Sequence, residues 1–213
     1  MDGQPDSDAP CWLFRTNPDW AGNYKVQYWS DAWQTIVLEY VDKIIEYGFD
    51  GVYLDVIDGF EYWSDPGNGE GYHVSEAEAA DRMINFVKRI AAHARAQDPA
   101  FLVMPQNGEG ILESAENADY LAVINGIGIE DLFYDGRTPT TDSAGRIGFI
   151  DQVTADGKPA MVVDYVYAAQ DPPGDPIVQD FLDNVNAKSG YYPYAARTSR
   201  ELDDLVVFSG QGE

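Results

Sequence analysis

The chain has 213 residues, with 37 acidic side chains against 13 basic ones and a formal net charge of -24. That length suits one large domain or two small ones, and 45% hydrophobic with 13% aromatic residues exclude wholesale disorder. So negative a surface repels phosphates and argues against nucleic acid; no apolar run reaches the roughly 18 residues of a membrane span, and the lone Cys11 excludes an internal disulfide.

The acidity is biased in kind, with 25 Asp and 12 Glu against 5 Lys. Surfaces of this type hold water and cations at high salt, which points to a halophilic source beside the plainer reading of an acidic secreted protein. Residues 1–10 are polar and read as a flexible lead-in, not a signal peptide. A single domain is expected over residues 11–208, with a short tail at 209–213.

In chain order, apolar or β-branched runs predict strands at residues 24–29, 51–57, 101–105, 120–124, 160–165 and 190–195. Several are short and continuously apolar, as strands buried on both faces are. Between the first two, Ile36, Val37, Tyr40, Ile44 and Tyr47 recur every three or four residues and predict a helix with that face inward, stopped by Gly48. A second helix is predicted from about Glu76 to Ala96, opened by Ser75 and Glu78 in capping-box spacing. Further helices are expected over 111–117, 143–153 and 176–186, with loops at 65–71 and 171–176. Repeated strand–helix–strand units imply an α/β chain with a parallel sheet. The expected architecture is a (β/α)8 TIM-barrel type, incomplete, with about six βα units; the phosphate loop of an open doubly wound sheet is absent.

In such barrels, functional side chains sit at the C-terminal ends of the strands. That rule singles out Asp55, Asp58, Glu61, Tyr62 and Trp63 after one strand; Gln106, Asn107 and Glu109 after the next; then Asn125, Glu130 and Asp131; and Asp164 with Tyr165. Carboxylates gathered beside aromatics are what glycoside hydrolysis requires: one acid protonates the leaving oxygen, and another attacks or activates water. Plainer roles compete. Asp58 is equally a loop cap, Glu109 in Asn-Gly-Glu finishes a turn, and Glu130 before Asp131 suits a helix start. Asp55 resists that reading, because it is expected inside an apolar strand where an unpaired charge is costly. Tyr28, Trp29 and Trp33 divide between core and cleft wall. His73 and His93 lack neighbouring ligands, so no metal is expected, and the acidic stretch Asp65–Glu70 lacks the EF-hand pattern.

Several segments together resemble one family. Asn23-Tyr24-Lys25-Val26-Gln27-Tyr28-Trp29-Ser30-Asp31-Ala32-Trp33, Gly48-Phe49-Asp50-Gly51-Val52-Tyr53-Leu54-Asp55-Val56-Ile57-Asp58, Met104-Pro105-Gln106-Asn107-Gly108-Glu109, Gly128-Ile129-Glu130-Asp131-Leu132-Phe133-Tyr134 and Gly190-Tyr191-Tyr192-Pro193-Tyr194 with Arg200-Glu201-Leu202-Asp203 are similar, in order, to motifs of glycoside hydrolase family 114. The resemblance runs from Cys11 to Leu205. It implies a (β/α)8 barrel, endo-acting hydrolysis of α-1,4-linked galactosamine polymers, an extracellular setting and no cofactor. By likeness Asp55 is the nucleophile and Glu130 the acid/base; Asp58, Tyr62, Asn107, Glu109, Asp164, Tyr165, Tyr28 and Trp29 are expected to hold the polysaccharide. Carboxyl groups roughly 5–5.5 Å apart imply retention, and about 6.5–9.5 Å inversion. Two upstream strand units usual in the family have no counterpart, so the chain reads as a member beginning near the third strand. The alternatives are a catalytically inactive carbohydrate-binding remnant and a hydrolase of another α-linked glycan.

Overall fold

In the computed structural model, the described residues are 5–18, 20, 22–168, 174–201, 203 and 205–206. In chain order come β1 (Leu13–Thr16), β2 (Tyr24–Val26), α1 (Asp31–Glu46), β3 (Gly51–Leu54), α2 (Gly59–Ser64), α3 (Glu76–Arg95) and β4 (Leu102–Pro105). A 3-10 turn (Glu109–Glu113) then leads to α4 (Asn117–Val123), β5 (Ile127–Glu130), β6 (Tyr134–Asp135), β7 (Thr138–Pro139), α5 (Ser143–Ala155), β8 (Ala160–Tyr167), α6 (Pro176–Asn186) and β9 (Tyr191–Arg197). Among the described residues, no helix is long and apolar enough to cross a membrane.

The chain divides into two compact units. Among the described residues, one holds those up to Val52 with Asp58–Leu102 and Ser114–Val123; the other holds Tyr53–Ile57, Val103–Glu113 and those from Ile124 onward. In the first, α3 is the hub on which α1, α2 and α4 pack. The Ser75 hydroxyl caps α3 by accepting from Glu78 N, and Met83, Ile84, Val87 and Ile90 line its buried stripe. Glu70 ties the 65–71 loop to Arg15 at 3.1 Å.

The second unit carries the parallel sheet. Gln106 N donates to Leu54 O, Gln106 bridges Gly128 in parallel, and β5, β8 and β9 pair in parallel register from Ile127↔Ala160 and Ala160↔Tyr191. The sheets are thus a two-stranded β3-β4 and a three-stranded β5-β8-β9, linked by the parallel bridge from Gln106 to Gly128. One face is dry: Val103, Ile127, Ile129 and Val162 are fully buried, and α5 and α6 pack against β8 with Ile150, Val153, Phe181 and Val185. Tyr53, Met161 and Tyr192 remain 51%, 44% and 49% exposed.

Four expectations are corrected. The run 24–29 is strand only to Val26, and it pairs antiparallel with β1, so it is no member of the parallel sheet. Residues 117–123 are helix, against the strand expected at 120–124; the strand follows at Ile127–Glu130. The helix expected over 111–117 is a 3-10 turn, followed by α4. The inward face of α1 is also different: Gln34 and Val41 are buried, while Ile36, Tyr40 and Tyr47 are 46%, 68% and 80% exposed. Polar ties run along that face: Arg89 of α3 reaches Asp31 and Gln34 at 2.6 Å, and His93 meets Asp42 at 2.6 Å. The expected loop at 171–176 falls in part outside the described residues, and the tail at 209–213 does so entirely.

Candidate active site

The second unit gathers its polar groups at the C-terminal ends of the parallel strands. Glu130 ends β5. Its Oε2 accepts from Asn107 Nδ2 at 3.0 Å, and its backbone N donates to Asn107 Oδ1 at 2.8 Å, so one amide grips both ends of the residue. The hydroxyl of Tyr165 donates to Glu130 Oε1. Burial first, then the charge of Glu130, pushes the Tyr165 phenol well above its ordinary range, so it remains a donor. Beneath this, Arg146 of α5 spreads its fork over the carbonyls of Asp131 (2.8 Å) and Glu130 (3.1 Å) and pairs with Glu109.

Asp55 lies just past β3 and is exposed. This overturns the expectation of a charge inside an apolar strand. Its Oδ1 accepts from Val56 N at 2.8 Å. Val56 is itself unusual, a β-branched residue at φ 61° that is 64% exposed. Among the described residues, the other non-glycine positions with left-handed backbone are Asn107 (55°), Asp131 (51°) and Arg200 (61°). Three of them flank or hold the two carboxylates, and Arg200 pairs with Asp131. Strain of this kind, of order 1–3 kcal/mol per residue, persists where surrounding structure enforces it and concentrates at working sites.

Tyr53 lies within electrostatic reach of both acids. Its hydroxyl reaches over Gly128, where an added Cβ would stand 1.7 Å from Oη. Burial, then the negative charges of Glu130 and Asp55, pushes its phenol up to about 12. Both carboxylates therefore act on one group. Sequence reasoning assigns no role to Tyr53, to Asp131's partner Arg200 or to Arg146, although the first two lie in the family-like segments. Only the glycine two residues before Glu130 hints that something large lies above β5.

Other expected contacts have different occupations. Asp164 is 0% exposed, and its carboxylate accepts from the backbone N–H groups of Leu132, Phe133 and Tyr134 at 2.8 Å each. It anchors the chain after β5 and offers no free oxygen to a sugar. Glu109 is 7% exposed and spent on Arg146. In the first unit, Tyr28 is 5% exposed with its hydroxyl donating to Ala79 O at 2.7 Å, so it is core and not cleft wall. Trp29 is half-buried, with the Arg82 guanidinium 4.5 Å over its ring. The hydroxyl of Tyr62 is shared between Glu70 (2.7 Å) and the Asn68 carbonyl (3.0 Å). Asp58 is exposed at the start of α2, without a side-chain cap bond. Asn107, Tyr165 and Glu130 are brought together as described. Among the described residues, no cluster of His, Cys, Asp and Glu has the arrangement of a metal site.

Comparison with known proteins gives the family and the fold. An uncharacterized protein of Methanocaldococcus jannaschii is 40% identical over 202 residues, which is 93% of this chain and 56% of that protein. One from Thermotoga maritima is 37% identical over 207 residues, covering 96% and 62% respectively. The chain thus spans about three fifths of the length of these relatives. Among solved structures, the glycoside hydrolase domain of PelA from Pseudomonas aeruginosa matches with a TM-score of 0.61 at 16% identity, covering 86% of this chain and 66% of that one. Aspergillus fumigatus Ega3 in complex with galactosamine matches with a TM-score of 0.66 at 16% identity, covering 89% and 66%. At that identity the likeness shows the fold, an α/β architecture shared with these domains. Residues 3–212 match the family described as glycoside-hydrolase family GH114, to which this chain therefore belongs.

Proposed function

We propose that the chain hydrolyses an α-1,4-linked galactosamine-type polysaccharide by a two-carboxylate, endo-acting mechanism outside the cell, on a (β/α)8 barrel of which β3, β4, β5, β8 and β9 are consecutive strands. The observation that carries the reading is the constellation at the strand ends: Glu130 gripped by Asn107 and Tyr165, and Asp55 on a strained exposed turn, both acting on Tyr53. The substrate class is supported by Ega3, a neighbour in fold whose crystal structure is a complex with galactosamine, and by a net charge of -24, which attracts a cationic sugar.

In this mechanism Glu130 delivers a proton to the glycosidic oxygen as the bond to the anomeric carbon breaks. Asp55 supplies the negative charge that meets the oxocarbenium-like carbon, attacking it as nucleophile. Water, deprotonated by Glu130, then releases the sugar from Asp55 and restores both groups. Asn107 and Tyr165 hold the Glu130 carboxyl. The test is incubation with an α-1,4-galactosamine polymer, read by mass spectrometry of the products. Short oligosaccharides are expected from wild type. Asp55→Asn and Glu130→Gln, folded by circular dichroism, are expected to lose on the order of 100- to 10,000-fold in kcat. Binding of the polymer without new reducing ends would instead establish the carbohydrate-binding remnant.

A further inference from the structure

Arg200 follows β9 and is remote in sequence from both carboxylates, yet its contacts lead to the site. Its Nη1 and Nη2 fork onto the two Asp131 carboxylate oxygens at 2.9 Å each, and Nη2 also reaches Asp135 Oδ1 at 2.8 Å. The guanidinium carbon stands 4.3 Å from the centre of the Tyr165 ring. Tyr165 in turn donates to Glu130 Oε1. Both ends of this chain of contacts are conformationally expensive: Arg200 at φ 61° and Asp131 at φ 51° adopt backbone that L side chains rarely take. A surface ion pair alone does not call for two strained residues, a planar fork and a stacked ring.

We propose that Arg200 is a positioning residue for Glu130: forked on Asp131 and laid across Tyr165, it fixes the phenol that donates to Glu130 Oε1. The inference rests on Glu130 being the proton-transferring carboxyl. A carboxylate has about four lone-pair sites, and the Tyr165 and Asn107 donors fill one on each oxygen, so the carboxyl plane is set by two rigid groups. Glu130 cannot hold Tyr165 by itself, because one hydrogen bond at the hydroxyl leaves the ring free to turn and sway about Cα–Cβ and Cβ–Cγ. Arg200 supplies the missing restraint by pinning the ring's face. A lysine in its place keeps the charge but loses both the fork and the flat stacking surface.

The experiment compares wild type with Arg200→Ala, Arg200→Lys, Tyr165→Phe and the Arg200→Ala/Tyr165→Phe double variant. Each is assayed over pH on an α-1,4-galactosamine polymer after circular dichroism confirms folding. In parallel, NMR of protein labelled at the glutamate carboxyl carbon follows Glu130 directly, assigned by the signal missing in Glu130→Gln. Arg200→Ala is expected to lower kcat on the order of 10- to 100-fold with KM within about twofold. The limb of the pH profile belonging to Glu130 shifts upward, because the Tyr165 donor to its charged form is no longer held in place. Tyr165→Phe shifts it alike, and the double variant adds nothing further. Added guanidinium restores part of the activity to Arg200→Ala and none to the double variant. A folded Arg200→Ala with wild-type kcat and pH limb overturns the proposal, as do additive losses. Should Arg200→Ala not fold, Arg200→Lys carries the same comparison. If wild type releases no product, the hydrolase reading falls, and the titration alone decides: a Glu130 midpoint that moves equally in Arg200→Ala and Tyr165→Phe upholds the clamp, and an unmoved one overturns it.

Discussion

A hydrogen on Gly128 is all that separates β5 from the Tyr53 phenol. An alanine there would place its Cβ 1.7 Å from Oη and 2.6 Å from Cζ, so the ring must swing away. Gly128→Ala is therefore expected to cost about 1–3 kcal/mol, the range for overpacking, and to displace the group on which both carboxylates act. Replacing Tyr53 by Leu removes the clash, so Tyr53→Leu/Gly128→Ala should be more stable than the sum of the single variants implies. A double-mutant cycle from urea unfolding measures this, and a coupling within about 0.5 kcal/mol of zero would show that the two sites do not meet. The residue scale also shows where sequence reading stops. Asp55 and Glu130 stand out because carboxylates after apolar runs have few structural duties, whereas Asp164 has the same signature and an opposite role. What separates them is whether backbone N–H groups converge on the carboxylate, and the residues that supply those groups, Leu132 to Tyr134, carry no sign of it in their side chains. Arg200 is invisible for a related reason: its partners lie 65 and 69 residues away.

At the scale of elements, Asp164 joins β8 to the segment that leaves β5. Burial pushes its carboxyl up to about 6, against the pull of the three backbone donors. The folded value thus lies above the unfolded one, near 3.9. Below the unfolded value the native state gains from holding this proton; between about pH 4 and 6 it holds more proton than the unfolded chain, so stability from this group falls as pH rises. Asp164→Asn removes that slope. It also turns an amide N–H toward one of the backbone donors, leaving it unsatisfied at a cost of about 1–3 kcal/mol. Urea midpoints at steps from pH 4 to 7 check both parts: the variant should be less stable throughout, and the wild-type advantage should shrink toward pH 6. Parallel slopes would count against the assignment. The elements themselves are legible where pattern and punctuation agree. α6 is readable to the residue because Asp175 and Pro176 mark its start and an apolar stripe fills it. β5 is hidden because Ile127-Gly128-Ile129 pairs good strand formers with a glycine, while the neighbouring Tyr120–Ile124 run is apolar enough to read as strand. The glycine belongs there for the Tyr53 phenol, a tertiary reason absent from local pattern. For α1, period gives the helix but not its rotation, and the ties to Arg89 and His93 fall on a face that the apolar period does not mark.

Over the whole molecule the dominant electrostatic fact is an excess of 24 negative charges. Many of the basic side chains already face a carboxylate, among them Arg15, Arg89, Arg137, Arg146 and Arg200, so little cation is left to offset the remainder. Salt acts on two populations in opposite directions. It weakens exposed pairs such as Lys43–Glu46, whose side chains are 64% and 66% accessible, but such pairs contribute only about 0–1 kcal/mol each. It also relieves repulsion among the surplus carboxylates, which opposes the compact state more than the unfolded chain. The second population is larger, so stability should rise as the screening length shrinks from about 30 Å at 0.01 M to about 8 Å at 0.15 M. For a chain of this length, each kcal/mol of relief appears as roughly 2–4 °C in Tm. Thermal melts at pH 7 in sodium chloride test this, and their shape separates two origins of the acidic bias. Screening alone is nearly complete by 0.15 M and predicts a plateau. A surface adapted to concentrated salt, as the preference for Asp over Lys suggests, predicts a Tm that keeps climbing toward 1 M and beyond. A Tm that falls over the first interval would mean that the ion pairs outweigh the surplus, and that the charge excess is spread too thinly to strain the fold.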